Sequence, residues 1–433
     1  MATNLNIEVS PLPRVEGHGD LVLNVKNKKI EKLQMRIPES PRFFEAMLVG
    51  RNYTEPSHIT SRICGICSVA HTFTSIKATE ATLGVKLNEQ IVKLRKLINH
   101  GEYIQSNCLH VYFLAAPDFL GVGSVIPLVK THPAVVNIAV NMKKVGNEIV
   151  RIIGGRAVHP ITTVVGGFTK LPAEEGLHKI KEMLKSLYPD LETSLKVFKT
   201  LKIPAFERET EYISLSDKYE YALYDGDIKS SDGWTIKAQD YLSKIKEKVV
   251  QHSTGKHCWA SRDAYMVGAL SRFNNNYLQL SDNAKTYAEE LGLKSPGYNT
   301  FMINIAQFIE IIHSVDDSMK LIDELLEAGL DESKAMVKIN VKAGRGVGAV
   351  EAPRGLLIHD YTYDEKGKVT KANLIIPTNM NYANIEKDLE AFVPQIIEKS
   401  EDEIKLGCEM LIRAYDPCIS CSTHFLNVKL VNK

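Results

Sequence analysis

Two periodicities divide the chain. Up to about residue 40, apolar and polar positions alternate: Asp20-Leu-Val-Leu-Asn-Val25 and Ile30–Ile37 flank the turn-like run Lys26-Asn-Lys-Lys29, which predicts a small N-terminal sheet. Beyond it the spacing is mostly helical. Asn88–Ala116 sets Ile91, Leu94, Ile98, Gly101, Ile104, Cys108, Val111 and Ala115 along one face, with Pro117 as its stop. Pro133–Ile153 repeats the pattern with Val136, Val140 and Ile149, and Gly154-Gly155 closes it. Further helices are predicted over Pro172–Thr200, Thr235–Ser253, Ser281–Leu291, Thr300–Ala328 and Ile385–Tyr415, the first and last kinked or split at Pro189 and Pro394. Asp217–Gly233 and His359–Lys371 read as hairpin insertions on the helical body. The fold class is thus mainly α with β additions.

Composition narrows the function. With 53 Lys+Arg against 52 Asp+Glu, the formal charge of +1 gives no support to nucleic-acid binding. A 44% hydrophobic content can fill a large core, and no repeat or flexible linker splits the chain, so 1–424 reads as one large domain. The most apolar window, His110–Lys130, is interrupted by Pro117, Asp118, Gly121, Gly123 and Pro127, so no membrane span is expected. Met1–Ser10 lacks the pattern of a signal peptide, which makes the cytoplasm the expected location.

The seven cysteines carry the chemistry. An odd number in a chain this long argues against a disulfide framework. Cys108, Cys258 and Cys408 are isolated, and Cys108 and Cys408 fall among apolar residues at helical spacing, as core cysteines do. The other four form two pairs: Arg62-Ile-Cys-Gly-Ile-Cys-Ser-Val-Ala-His71 and Asp416-Pro-Cys-Ile-Ser-Cys-Ser-Thr-His424. A C-x-x-C turn lets both sulfurs face one ion, and four thiolates make a soft site suited to zinc, iron or nickel. A zinc ribbon closes a short loop between its pairs; here residue 67 and residue 418 lie 351 positions apart, which favours a centre buried between the two ends of the fold. The helix-forming run after Cys67 would favour thiolates at its N-terminus. Arg62, His71 and Asp416 are expected to tune such a centre rather than bind it.

These two motifs, with Arg14-Val-Glu-Gly-His18, Arg42-Phe-Phe-Glu45, Gly154-Gly-Arg-Ala-Val-His-Pro160, Glu351-Ala-Pro-Arg-Gly355 and Pro377-Thr378, resemble the large, catalytic subunit of the [NiFe]-hydrogenases from about residue 8 to 424. The resemblance implies a hydrogenase that cleaves H2 heterolytically and reversibly. It implies nickel on Cys64, Cys67, Cys418 and Cys421, with Cys67 and Cys421 bridging to an iron that carries CO and two cyanide ligands. A separate Mg²⁺ or Fe²⁺ would sit on Glu45, His424 and the main-chain carbonyl of Leu374. Arg354 would lie over the place where H2 docks, Pro377 and Thr378 would contact a cyanide, Cys418 would take the proton, and Glu16 would relay it outward. One departure stands out: membrane-bound members carry Asp four residues before the histidine matching His110, where this chain has Ser106.

Electrons need another route. Cys108, Cys258 and Cys408 are too few for the four-cysteine ligation of an iron–sulfur cluster, so none is expected in this chain and an iron–sulfur small subunit is the implied partner. The length and Tyr112-Phe-Leu-Ala-Ala-Pro-Asp-Phe119 resemble the cytoplasmic, multisubunit group of sulfhydrogenases and F420-non-reducing and NAD(P)-linked enzymes. Further flavin or iron–sulfur subunits would then pass electrons to NAD(P), F420, ferredoxin or a heterodisulfide reductase. Gly344-Arg-Gly-Val-Gly348 does not follow the G-x-G-x-x-G nucleotide pattern. The rival readings are a non-catalytic homologue such as the quinone-site subunit of respiratory complex I, which lacks the four cysteines, and a zinc-stapled scaffold. Residues 425–433 match an extension that the family removes after nickel insertion; a retained C-terminal strand is the alternative.

Overall fold

In the computed structural model, which describes residues 4–423, the first sheet has the expected form. Strands Asn4–Val9, Asp20–Lys26 and Lys29–Arg36 run antiparallel in sequence order. Asn27 and Lys28 both take left-handed φ values, 48° and 63°, as a two-residue hairpin turn requires. Apolar side chains from this sheet join the main core, whose other walls include helices Glu89–Cys108, Pro133–Gly154, Ile303–Ala328 and Glu401–Ala414. A second apolar cluster, including Phe44, Ile63, Leu357 and Leu374, surrounds Cys64, Cys67, Cys418 and Cys421.

Several helical expectations change in detail. The run from Asn88 does not stop at Pro117: the α-helix ends at Cys108, widens into a π-helix over Leu109–Ala115, and resumes over Ala116–Phe119 with Pro117 in its first turn. Proline is tolerated there because the first-turn N–H has no helical partner. In Pro133–Gly154 the buried stripe is Ile138, Met142, Val145, Ile149 and Ile153, while Val140 faces outward with 53% exposure. Pro172–Thr200 does split, into Glu174–Lys185 and Tyr188–Phe198, with Pro189 opening the second half. Pro394 lies inside Pro377–Ile396; the break comes after it, where Ser400 and Glu403 form a capping box for Glu401–Ala414.

Thr235–Ser253 is not a helix. Tyr241 and Ile245 are buried four positions apart and imitate helical spacing, but they belong to a 3₁₀ turn, Ala238–Ser243, and the residue after the next bend. The β-branched run that follows forms the hairpin Lys246–Val250 and Ser253–Trp259. The two supposed insertions are structural as well. Asp227–Ser230 pairs with Glu211–Ser216 in a four-stranded sheet, and His359–Lys371 lies within the sheet Gly344–Ala352, Gly355–Tyr363, Val369–Ile375.

That last sheet positions the centre. Its first strand lies on helix Ser68–Leu83 so closely that a Cβ on Gly346 would come within 2.2 Å of the Ala78 carbonyl, and one on Gly348 within 2.1 Å of the Thr74 carbonyl. The glycine-rich run at 344–348 therefore serves helix packing. The following turn, Pro353-Arg354, is clamped by Arg272, whose guanidinium donates to the Ala352 and Pro353 carbonyls at 3.0 and 2.7 Å and pairs with Glu351 and Glu310 at 2.8 and 2.6 Å. All three charged side chains are buried, so removing the cation alone leaves two buried carboxylates uncompensated. Arg272→Met is expected to cost about 3–5 kcal/mol of stability, read as a lower urea midpoint; an unchanged midpoint would remove the clamp from this account. No helix among the described residues is long and apolar enough to cross a membrane.

Candidate metal centre

The local chain folds each thiol pair around a turn. Cys64 ends a short helical stretch, and Cys67 is the N-cap of helix Ser68–Leu83. The N–H groups of Ile66 and Cys67 donate to Cys64 Sγ at 3.3 and 3.2 Å, so the turn presents donors to that sulfur. At Cys67 the expected thiolate is not favoured, because hydrogen bonds from Cys418 and Cys421 are outweighed by Cys64 and burial, which push the thiol up to about 11. The second pair is tied to the amino-terminal segment: Ile419 N–H donates to the Glu16 carbonyl at 2.9 Å, and Cys418 N–H donates to Thr378 Oγ1 at 3.1 Å.

These anchors bring the pairs together. Cys64 Sγ lies 3.6 Å from Cys418 Sγ, and Cys67 Sγ lies 3.9 Å from Cys421 Sγ. All four sulfurs fall within 4.8 Å of one another, every one of these residues is buried, and none is in a disulfide. The crowding sets their protonation apart. Hydrogen bonds from Cys418, Cys421 and Cys67 hold the Cys64 thiol well below its ordinary pKa. Its neighbours push Cys418 well up, and burial above all raises Cys421. Four soft donors converging in an apolar pocket fit a soft or borderline transition metal, with the positive charge of the ion supplying what the thiolates need.

Two charged groups frame the pocket. Cys418 Sγ donates to Glu16 Oε2 at 3.1 Å, and the same oxygen accepts from Ser420 N–H at 3.1 Å, so the half-buried Glu16 carboxylate stands directly against one thiol. Gly17, with φ +85°, makes this possible: a Cβ there would come within 2.8 Å of Ser420 N and Glu39 Oε1. On another side Arg354, 3% exposed, donates to the Asp416 carbonyl and carboxylate at 2.9 and 2.8 Å and to Ser106 Oγ at 3.4 Å. Burial opposes its charge, yet Asp416 and the sulfurs of Cys418, Cys67 and Cys64 outweigh that and hold its pKa well above the ordinary value. Asp416 keeps a left-handed φ of 51° in this grip.

The other expected residues fall around this frame. Thr378 carries the Cys418 backbone, beside Pro377 at the start of its helix. His71 is buried with Nδ1 3.4 Å from His359 Nε2. The Arg62 side chain is exposed, and its carbonyl accepts from Arg42. Glu45 is half-buried, accepts from Leu374 N–H at 2.8 Å, and is raised in pKa chiefly by burial. His424 and the tail 425–433 lie outside the described residues. Cys108, Cys258 and Cys408 are each buried in apolar surroundings, as expected of the first and last.

Three contributors escape sequence reasoning. Glu102 accepts from Val69 and Ala70 N–H at 2.7 and 3.0 Å, fixing the start of the helix behind Cys67, and burial pushes its pKa up to about 8. Gln307 joins His110 Nδ1, at 2.5 Å, to Asp416 Oδ2, at 3.2 Å. His359 meets His71. Their partners are distant in sequence; the only local hint is that Asn99–Asn107 is buried on every side although much of it is polar.

Comparison with known proteins gives a consistent picture. The family model described as nickel-dependent hydrogenase matches residues 42–138 and 209–424. The alpha chain of sulfhydrogenase 1 from Pyrococcus furiosus is 34% identical over 426 residues, covering 98% of this chain and 99% of that one. An F420-non-reducing hydrogenase chain from Methanothermobacter marburgensis is 32% identical over 464 residues, covering 98% and 96%. Among solved structures, an NAD+-reducing [NiFe]-hydrogenase in the H2-reduced state superposes with a TM-score of 0.88 at 26% identity, covering 98% of this chain and 100% of that one.

Proposed function

Because the chain belongs to the nickel-dependent hydrogenase family, we propose that it is the catalytic subunit of a [NiFe]-hydrogenase that reversibly cleaves H2 into protons and electrons. The observation that carries this reading is the convergence of four buried thiols from the two ends of the chain with a carboxylate 3.1 Å from one of them. Cys64, Cys67, Cys418 and Cys421 would hold nickel, and Cys67 and Cys421 would share it with an iron carrying CO and two cyanides. When bound, the metal pair supplies the electron-accepting centre that makes H2 acidic.

The protein's own groups handle the proton. Cys418 Sγ is the base beside the metals, and Glu16 Oε2 stands where it can take the proton from it in one hydrogen-bond step. Arg354 stays charged and, held on Asp416, orients positive charge toward the sulfurs. Thr378 fixes the Cys418 backbone, while the apolar cluster around Phe44, Ile63 and Leu357 keeps bulk water out. Mg²⁺ or Fe²⁺ is assigned to Glu45, His424 and the Leu374 carbonyl; a carboxylate raised by burial, already hydrogen-bonded to Leu374, suits a site where a cation supplies the compensating charge.

Electrons pass first to an iron–sulfur small subunit, then through further flavin or iron–sulfur subunits to a soluble acceptor in the cytoplasm. Cysteines that form no disulfide among the described residues suit a reducing compartment. The docking face of the small subunit is assigned to the loop after helix Pro133–Gly154. There the His159 backbone N–H donates to Ser68 Oγ at 3.0 Å, next to Cys67, and Val158 and Ile161 are exposed at 39% and 43%. Metal analysis tests the reading. The purified complex should contain nickel in step with this chain and reduce a viologen dye with H2; zinc without nickel, and no H2 oxidation, would instead support the stapled scaffold.

Residues 1–424 are taken as one catalytic domain and 425–433 as a tail removed on maturation. Intact mass of the nickel-loaded protein should show a chain ending at His424; active protein still carrying Lys433 would establish retention.

A further inference from the structure

A second group of ligand-type side chains lies away from the thiols. The hairpin Lys246–Val250 and Ser253–Trp259 carries His252 in its turn and His257 on its second strand, and helix Pro377–Ile396 carries Glu386. One donor atom from each of the three lies within 4.8 Å of the others. His252 Nε2 is 3.0 Å from Glu386 Oε1, and the two imidazole rings meet edge to face with centroids 5.5 Å apart. His257 is 4% exposed, and its Nε2 is buried with no hydrogen-bond partner. A buried polar atom left unsatisfied costs about 1–3 kcal/mol, so a protein group or a ligand is expected to offset it.

We propose that His252, His257 and Glu386 form a second metal site, for a divalent transition ion of the zinc type, which staples the hairpin to the helix. Two imidazoles and one carboxylate form a borderline donor set: Mg²⁺ and Ca²⁺ seek oxygen alone, and thiophilic ions seek sulfur. Four residues separate the histidines, within the His spacing of known zinc sites. Donors held about 2.0–2.2 Å from a tetrahedral ion lie about 3.4 Å apart. The group must therefore contract by about 1.5 Å at its widest, which a rotamer change of the half-buried His252 can supply. The Met35 N–H, 2.9 Å from Glu386 Oε1, holds the carboxylate in place, as outer-shell donors do at metal sites.

The test uses the nickel-loaded enzyme complex, cleared of loosely held metal by chelator and dialysed against Zn²⁺ alone. The wild type should retain one more zinc per catalytic chain than His252→Ala or Glu386→Gln, at equal nickel content. Zn²⁺ should also raise the unfolding temperature of the wild type but of neither variant. These two positions are half-buried, so both variants should fold even where His257→Ala does not, and Glu386→Gln still offers an acceptor to Met35. Equal zinc in wild type and variants, or a thermal shift common to all three, would overturn the proposal and leave a hydrated His–Glu pair.

Discussion

Cys418→Ser is expected to abolish H2 uptake and evolution, by about 10³-fold or more, while most of the fold survives. A serine hydroxyl is a poor ligand for a soft metal and, at its ordinary pKa, cannot act as the thiolate does. The substitution is conservative in volume: Cys418 is 1% exposed, and its N–H would still reach Thr378 Oγ1. Loss of activity with a retained circular dichroism spectrum therefore reads on chemistry and not on folding. Unchanged H2-dependent dye reduction in a variant with full nickel content would remove Cys418 from the mechanism.

The next largest effect is expected from Glu16→Gln, which should slow H2/D⁺ exchange by about 10²–10⁴-fold with nickel content and metal spectra little changed. Gln can still accept the Ser420 N–H that the carboxylate accepts now at 3.1 Å, so the loop geometry should hold. It cannot take a proton from Cys418 and pass it on. Exchange at the wild-type rate in this variant would show that the proton leaves by another group, and loss of nickel would show that Glu16 is structural.

What could be read from the residues depended on how far apart the interacting partners lie in the chain. The Cys64/Cys67 turn was legible because its donors, the N–H groups of Ile66 and Cys67, sit within the motif itself. The Asn27-Lys28 hairpin was legible for the same reason. The hairpin at 246–259 was not, because Tyr241 and Ile245 repeat at four residues and only tertiary contact decides that they are not helical. Glu102, 33 residues from the N–H group of Val69, and Gln307, 109 residues from Asp416, announce nothing locally. Asp416 was read from its motif as a neighbour of the thiols, yet its ion pair with Arg354, 62 residues away, had to be seen.

Bringing Cys64 to Cys418 closes a loop of 354 residues, which costs about 5 kcal/mol of chain entropy. It also fixes a timetable. At the usual pace of synthesis, roughly 5–20 residues per second, the first pair of thiols leaves the ribosome's decoding site roughly 20–70 s before the second exists. Throughout that interval a newborn chain offers only a two-sulfur half-site, which any thiophilic cation can occupy as readily as nickel. The choice of metal cannot be made by the amino-terminal pair alone. The four-donor site that can discriminate exists only once Cys421 has been made and folded against the first pair.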